Sequence, residues 1–473
     1  MSLKHGINIF KTGANMTSVK KTGVGIPFVI GASPAHTAGG YTGKPQIAYD
    51  FAEAMKKLGY SDEWRYADGS PKWELCQVMY VFFKLFSVAP VIFMNVLDPA
   101  KHKTAVSGAD FAVTDHIALL PTDALIDGDL TVKAGDTTLA KGTDYNAVYG
   151  TDKTYIELLK TGSAYTAETL NIAYNKADPS KITASDIEEA AEQVEYCKTL
   201  FGIVPDLISA PGYENVSSTV AVLAEKAPNI NGLFRAKAVC NIDTSLASSY
   251  DALPTAKKNG GFEDKNVIAC WAYGKNGDHI FDMSVLVMAR MAKTDAENGC
   301  PYESPSNKEL PITALCDKVG NEITLSLSQA DAVSAAYGVV TALNFDGFVV
   351  WGNYMGCFPA STDVSEQFIP TSRMTDFICN TFVATFWSKL DRPMTRVLID
   401  SVVNSFNTFL AGLANDGKLY GGKIEYVPDN NPATDLIAGK FRLDTSVASP
   451  VPAQQIDNYV TFDVDMLISA LNG

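Results

Sequence analysis

Ala38 to Pro45, AGGYTGKP, comes nearest in this chain to a nucleotide-handling motif, and its own residues decide against that chemistry. A phosphate loop of the form G-x-x-x-x-G-K-[ST] needs glycine where Ala38 stands and a hydroxyl residue where Pro45 stands. Gly23-Val24-Gly25 opens like a dinucleotide fingerprint, but Phe28 holds the third glycine position and the glycines fall inside a strand pattern instead of after it. Both stretches read as turns. A metal site could be sought at Asp278, His279 and Asp282 in GKNGDHIFD. An adjacent carboxylate and imidazole point to different sides of a strand or helix, so Asp278 is expected to cap a helix instead. The chain has five histidines, at 5, 36, 102, 116 and 279, and carries no G-x-S-x-G, no H-E-x-x-H and no H-x-E paired with P-C-x-x-C. No catalytic, cofactor-binding or metal-binding residue is assigned from these patterns.

Composition narrows the classes further. Of the 473 residues, 47% are hydrophobic and 19% charged, the profile of a globular protein with room for two to four domains. Fifty-three acidic against 38 basic residues leave a formal charge of −15, which disfavours nucleic acid or an anionic membrane as a general partner. Eight cysteines occur without any C-x-x-C and mostly within apolar runs, as reduced core thiols do. The first residues, MSLKHGINIFKTGANMTS, show no apolar signal core, so folding in the cytoplasm is expected. Leu75 to Leu97 is long enough for a membrane span, but Gln77 and Lys84 interrupt it and Pro90 divides a helical half from a β-branched half. A buried helix followed by a buried strand is the expectation.

The elements that would position any site alternate between strand and helix. GVGIPFVIGA (23–32) reads as a buried strand, QIAYDFAEAMKKLG as a helix ending at Gly59, and residues 73–87 as a helix before the strand VIFMNVL. Between Lys101 and Ile182 there is no Cys, Met or Trp; short Thr/Asp/Gly-rich strand runs replace them and predict a small inserted β-sandwich. A helix capped by Ser185 restarts the alternation, which continues through PDLISAPG, LFRAKAVCNID and NVIACWAYG to FDGFVVWG. The fold class is therefore α/β (α+β) and multi-domain, with a three-layer α/β core, the inserted β-sandwich and a C-terminal helix-plus-hairpin region with extended terminal arms.

That last region begins near Thr371. RMTDFICNTFVATFWSKL has a helical apolar period, Pro393 breaks it, and a second amphipathic helix runs from about Thr395 to Asn415. KIEYV and GKFRLDTSV follow as strands, the latter with Phe441, Leu443, Thr445 and Val447 alternating. Tyr459 to Asp465 also alternates, with Val460, Phe462 and Val464 on one face and Tyr459, Thr461, Asp463 and Asp465 on the other. This is a half-buried strand pattern with no evident partner in its own chain.

Taken in order, these stretches resemble the contractile tail sheath proteins of bacteriophages and R-type bacteriocins. HGINIFKTGANM is similar to that family's extended N-terminal arm, VGIPFVIGASPAH to its first core strand, and VMYVFFKLFSVAPVIFMNVL to its helix and strand ahead of a variable insertion. PDLISAPGY, DMSVLVMARMAKTDAENGCPYESPSN and GFVVWGNYMG resemble later core segments. The most specific likeness is at the C-terminal side, in FLAGLANDGKLYGG and in NNPATDLIAGKFRLDTSVASPVPAQQIDNYVTFDV. One departure is TSRMTDFICNTF, which carries a single arginine, Arg373, where many relatives have an Arg-rich helix.

The resemblance implies a structural subunit and no enzyme. It divides the chain into a linking arm (1–22), a core (23–100 and 183–365), an outward insertion (101–182), a C-terminal sheath domain (366–454) and a linking strand (455–473). It implies that residues Tyr459, Val460, Thr461, Phe462, Asp463, Val464 and Asp465 of one subunit, and the arm Gly6, Ile7, Asn8, Ile9 and Phe10 of another, add to an acceptor hairpin carrying Phe441, Leu443, Thr445 and Val447. An alternating strand without a partner is a template for such β-augmentation. Implied partners are further copies of itself in a helical homopolymer of stacked rings, an inner tail tube protein, and baseplate and tail terminator proteins. No cofactor, direct nucleic-acid contact or membrane insertion is implied. The particle would assemble in the bacterial cytoplasm and be released by lysis. Lys389, Arg392 and Arg396, a cationic cluster in an acidic chain, are the candidate contact to the tube. A nucleotide-binding α/β enzyme and a surface-layer or adhesion protein are the alternative classes.

Overall fold

Six strands line up through the middle of the molecule: β1 (Pro27–Gly31), β2 (Gln46–Ala48), β3 (Val91–Asn95), β4 (Leu207–Ser209), β5 (Lys237–Ile242) and β6 (Val267–Trp271). The structure, a computed structural model, describes residues 19, 23–150 and 153–472. The strand order is β6-β5-β4-β1-β3-β2, parallel throughout except for β2 at one edge. Every residue of β1, β3, β4, β5 and β6 is buried. Successive residues of a strand face opposite ways, so both faces of the sheet must be covered.

The covering helices start and stop where local chemistry dictates. Helix α1 (Phe51–Leu58) begins at Asp50, whose carboxylate accepts from the Glu53 N–H, and ends at Gly59 with φ 69°. The helix expected to start at Gln46 is therefore shorter, because Gln46–Ala48 pairs with β3 instead. Helix α2 (Glu74–Met79) runs on as a π-helix, Tyr80–Phe86, into β3, so the apolar run 75–97 is a buried helix and strand as expected. Helix α3 (Ala184–Ala191) is capped by Thr183, not by Ser185: the Thr183 hydroxyl accepts from the Asp186 N–H while the Asp186 carboxylate accepts from the Thr183 N–H. Helix α4 (Ser217–Lys226) packs on α3, and α5 (Met283–Asn298) packs on the π-helix and on β5 and β6. Gly25, at φ 66°, lets the chain enter β1 hard against α5, where a Cβ would lie 2.6 Å from the Ala292 Cα.

Residues 103–177 form one continuous eight-stranded antiparallel sheet. Its long strand Lys103–Thr114 pairs with Thr169–Ala177 along most of its length and with Ile117–Leu120 at its end, so the sheet curls around its own core of Leu120, Ile156, Leu170 and Ile172. The expected two-sheet sandwich is thus a single sheet joined through that twelve-residue strand.

The C-terminal elements enclose another core. Helix α6 (Ile369–Phe386) and helix α7 (Arg396–Asn415), whose N-cap Thr395 accepts from the Leu398 N–H, pack Phe377, Phe406 and Leu410 together beneath a hairpin of β7 (Gly421–Glu425) and β8 (Asp444–Ala448). Among the described residues α7 is the one helix long and apolar enough to cross a membrane, but its apolar stripe is turned onto α6 and the hairpin. Arg373 locks α6 to the central body. It is 3% exposed, and its guanidinium donates to Asp206 at 2.8 Å and Asp295 at 2.5 Å. Asp206 in turn accepts from the Gly25 and Ile26 N–H groups. One ion network therefore joins the entry to β1, the approach to β4, α5 and α6.

Candidate intersubunit interface

In open parallel sheets, ligands bind outside the carboxyl ends of the strands. Here buried carboxylates of the chain itself stand at those ends. Glu74, beside the end of β1, accepts from the Ala32 N–H at 3.1 Å. Glu214 accepts from the Ser209 hydroxyl, the Ala210 N–H and the Asn241 N–H at the ends of β4 and β5. Both are buried, and burial pushes each carboxyl up to about 8. Asp282 is buried against Arg65 and Gln77. His279 packs among Trp64, Tyr80 and Phe281, while Asp278 sits in the turn between the strands Tyr273–Asn276 and His279–Asp282. The helix cap expected at Asp278 is therefore a hairpin turn, since α5 begins only after Asp282. Among the described residues no group of three or more His, Cys, Asp or Glu is arranged to hold a metal. The near-miss glycines lie in irregular chain, Ala38–Pro45 before β2 and Gly23–Gly25 before β1 instead of inside a strand.

An open polar edge lies in the C-terminal hairpin. β7 and β8 pair from Gly421↔Ala448 to Glu425↔Asp444. The outer edge of β7 is occupied: the Asn407 amide of α7 donates to the Ile424 carbonyl at 2.8 Å and accepts from the Ile424 N–H at 2.9 Å. Ile424 thus spends both main-chain groups away from its partner Thr445, which makes that a non-hydrogen-bonded pair. Thr445 must then point its own N–H and C=O outward, and by alternation Val447 does the same. Asn431 repeats the device on the inner side, accepting from the Arg442 N–H at 2.6 Å and donating to the Arg442 and Val427 carbonyls. Arg442 therefore faces inward and Leu443 outward. Among the described residues no third strand covers this edge. Thr445 and Val447 lie in β8, while Phe441 and Leu443 lie in the segment just before it.

The segment expected to be a strand has no partner among the described residues either. Residues 449–463 take no regular secondary structure, and Tyr459, Val460 and Phe462 are 90%, 86% and 74% exposed. A strand is held by its ladder, and without a neighbour the alternation of Tyr459 to Asp463 has nothing to register against. Val464 and Asp465 do not continue the pattern. They open helix α8 (Val464–Asn472), because the Asp463 carboxylate accepts from the Asp465 and Met466 N–H groups and Val464, Leu467, Ile468 and Leu471 fall at helical spacing. The arm Gly6 to Phe10 lies outside the described residues.

Between α6, α7 and the hairpin runs an apolar groove of about 730 Å³, lined by Phe382, Phe386, Leu398, Val402 and Leu443 and bordered by Arg235, Lys389 and Lys440. Lys389 therefore faces the groove. Arg392 is exposed and its Nε donates to the Ser388 carbonyl in the turn Trp387–Lys389 that follows α6, while Arg396 pairs with Asp400 at 3.0 Å and stacks over Tyr426. The same turn exposes Trp387, Leu390 and Val397, so it is apolar as well as cationic. Arg373, the one arginine of its segment, is internal. Sequence reasoning missed Asn407, Asn431 and the groove; an asparagine that imitates a strand carries no signal in the sequence. The spacing of Val464, Leu467, Ile468 and Leu471 was legible and marks α8.

No family model matches the sequence. The tail sheath protein of Burkholderia phage BcepMu is 27% identical over 414 residues, covering 81% of this chain and 83% of that protein. The tail sheath protein of Escherichia phage P2 is 28% identical over 162 residues, 34% of this chain and 39% of that protein. Among solved structures, the sheath complex of an extracellular contractile injection system, PVC, in its contracted state superposes with a TM-score of 0.60 at 12% identity, covering 98% of this chain and 99% of that one. The helical sheath of the anti-feeding prophage in its contracted state gives 0.58 at 14% identity, covering 98% of this chain and all of that one. These two likenesses are likenesses of fold.

Proposed function

We infer that this chain, which belongs to the contractile tail sheath protein family, is the repeating subunit of a sheath and joins its neighbours through the open edge of β8. It is a structural protein, it polymerises with itself and associates with a baseplate, and it is a component of a phage tail or contractile injection particle. The observation that supports the joining is the presence of two incomplete halves in one molecule: an edge with outward N–H and C=O groups, and an alternating segment with no partner among the described residues.

Tyr459 to Asp463 of one subunit supplies the missing strand on β8 of the next. Each main-chain hydrogen bond so formed contributes roughly 0.5–1.5 kcal/mol net, and a lattice in which every subunit both gives and receives multiplies the effect through avidity. Gly6 to Phe10 adds from another subunit. Residues 449–458, which take no regular secondary structure, join the donated segment to its own subunit, so the subunits can rotate while the link holds. Contraction then needs no nucleotide, because the driving energy is the difference between two packings of the same subunits. The turn carrying Lys389, Arg392 and Arg396 faces the inner tube through contacts that break on contraction, the curled sheet of residues 103–177 lies outside, and a tail terminator protein closes the end.

Negative-stain electron microscopy of the purified chain tests this reading. Hollow tubes are expected; discrete particles would overturn it, and flat lattices would point to a surface layer instead.

A further inference from the structure

The groove beside β8 is open, and the apolar face of α8 is exposed: Val464, Leu467, Ile468 and Leu471 are 55%, 45%, 50% and 76% exposed. Residues at i, i+3, i+4 and i+7 form one stripe about 10 Å long, the pattern by which an amphipathic helix seats itself in an apolar groove. We propose that α8 of one copy docks into the groove between α6, α7 and the hairpin of a second copy, locking the strand that precedes it onto β8.

Two observations choose this occupant. The first is charge. From Leu443 to Gly473 the chain contains Asp444, Asp457, Asp463 and Asp465 and no lysine or arginine, whereas Arg235, Lys389 and Lys440 border the groove of a chain with net charge −15. The acidic start of α8 thus meets cations at the rim while its apolar stripe meets the floor. The second is continuity. Leu443 and Thr445 belong both to the groove lining and to the receiving segment, so a strand added there delivers the helix that follows it to the groove. A second copy is favoured over the same copy because residues 450–456 leave their own hairpin along a cleft lined by Tyr302, Trp351 and Tyr354, none of which borders the groove.

The proposal rests on the strand-exchange reading above but adds a separate contact, and a cysteine of the protein itself can report it. Cys379 lines the groove and is partly exposed, whereas the other seven cysteines are buried. Chains carrying Ile468→Cys with Cys379→Ala, mixed with chains that keep Cys379 and Ile468, are assembled and treated with a copper oxidant. A covalent dimer between the two chain types is expected, and none from either type alone. An intrachain bond in Ile468→Cys chains that retain Cys379, without the dimer, would overturn the proposal in favour of the same copy. Tubes that form with no bond of either kind would overturn it while leaving strand exchange standing. Removing 464–473 is a second measurement: the concentration needed to form tubes should rise by about tenfold or more. An unchanged concentration refutes the docked helix. Failure of the intact chain to form tubes under any condition refutes the underlying reading instead.

Discussion

Arg373 is a surface residue by type and an internal clamp by position. Replacing it with alanine would leave Asp295, 1% exposed, without its cation. Breaking such a pair costs roughly 3–5 kcal/mol, so Arg373→Ala should lower the free energy of unfolding by that order in a denaturant titration and loosen α6 from the central sheet. The two buried glutamates give a pH signature. Their carboxyls stand at about 8 in the folded protein against a usual value near 4.5, so the folded state binds the extra protons between those limits. Their contribution to stability is full below the usual value and is lost as pH rises through about 8. Glu214→Gln removes one of the two, so its unfolding free energy should fall less than that of the unaltered protein between about pH 5 and pH 8. Parallel profiles would refute the assignment. Glu74 and Glu214 are ordinary acids in the sequence; only their position at the strand ends makes them neutral.

At the scale of elements, the proposed receiving role of β8 can be tested apart from folding. The Thr445 N–H points outward and holds no bond within the hairpin, so Thr445→Pro should leave the monomer folded by circular dichroism while tubes fail to form, because proline removes a donor at the edge. Ser446→Pro, one residue on, should break the hairpin itself. Tubes from Thr445→Pro would mean that β8 is not the receiving edge. The alternation at Thr445 and Val447 was legible in the sequence, and so was the alternation from Tyr459 to Asp463. That β7 is closed and β8 open was not legible, because it depends on Asn407 reaching across from α7. The helix caps at Thr183 and Asp50 show the same limit on a smaller scale, since several nearby residues could have served and geometry selected one.

At the scale of the molecule, the three buried clusters divide the labour. The curled sheet has its own core, and its first and last strands pair at Lys103↔Ala177, so its ends lie side by side. Replacing 103–177 by a short glycine-serine linker should leave a chain that still forms tubes by electron microscopy; loss of polymerisation would place this sheet in the lattice. The central sheet is covered on both faces, and Glu74 and Glu214 accept main-chain N–H groups at its strand ends. The C-terminal helices and hairpin carry the groove and the edge left open among the described residues, and the Arg373 ion pairs tie them to the central sheet.

The residues alone carry the alternation of strand and helix, the sharp change of composition near Lys101 and Ile182, and a late segment patterned for a partner that is absent among the described residues. These are local periodicities, set by which side chains can be buried, and they are readable one window at a time. Only the tertiary structure shows that Arg373 is internal and which edge of the hairpin stays unpaired among the described residues. Each depends on a residue distant in the chain, Asp295 for the arginine and Asn407 for the edge, which no local window of sequence contains.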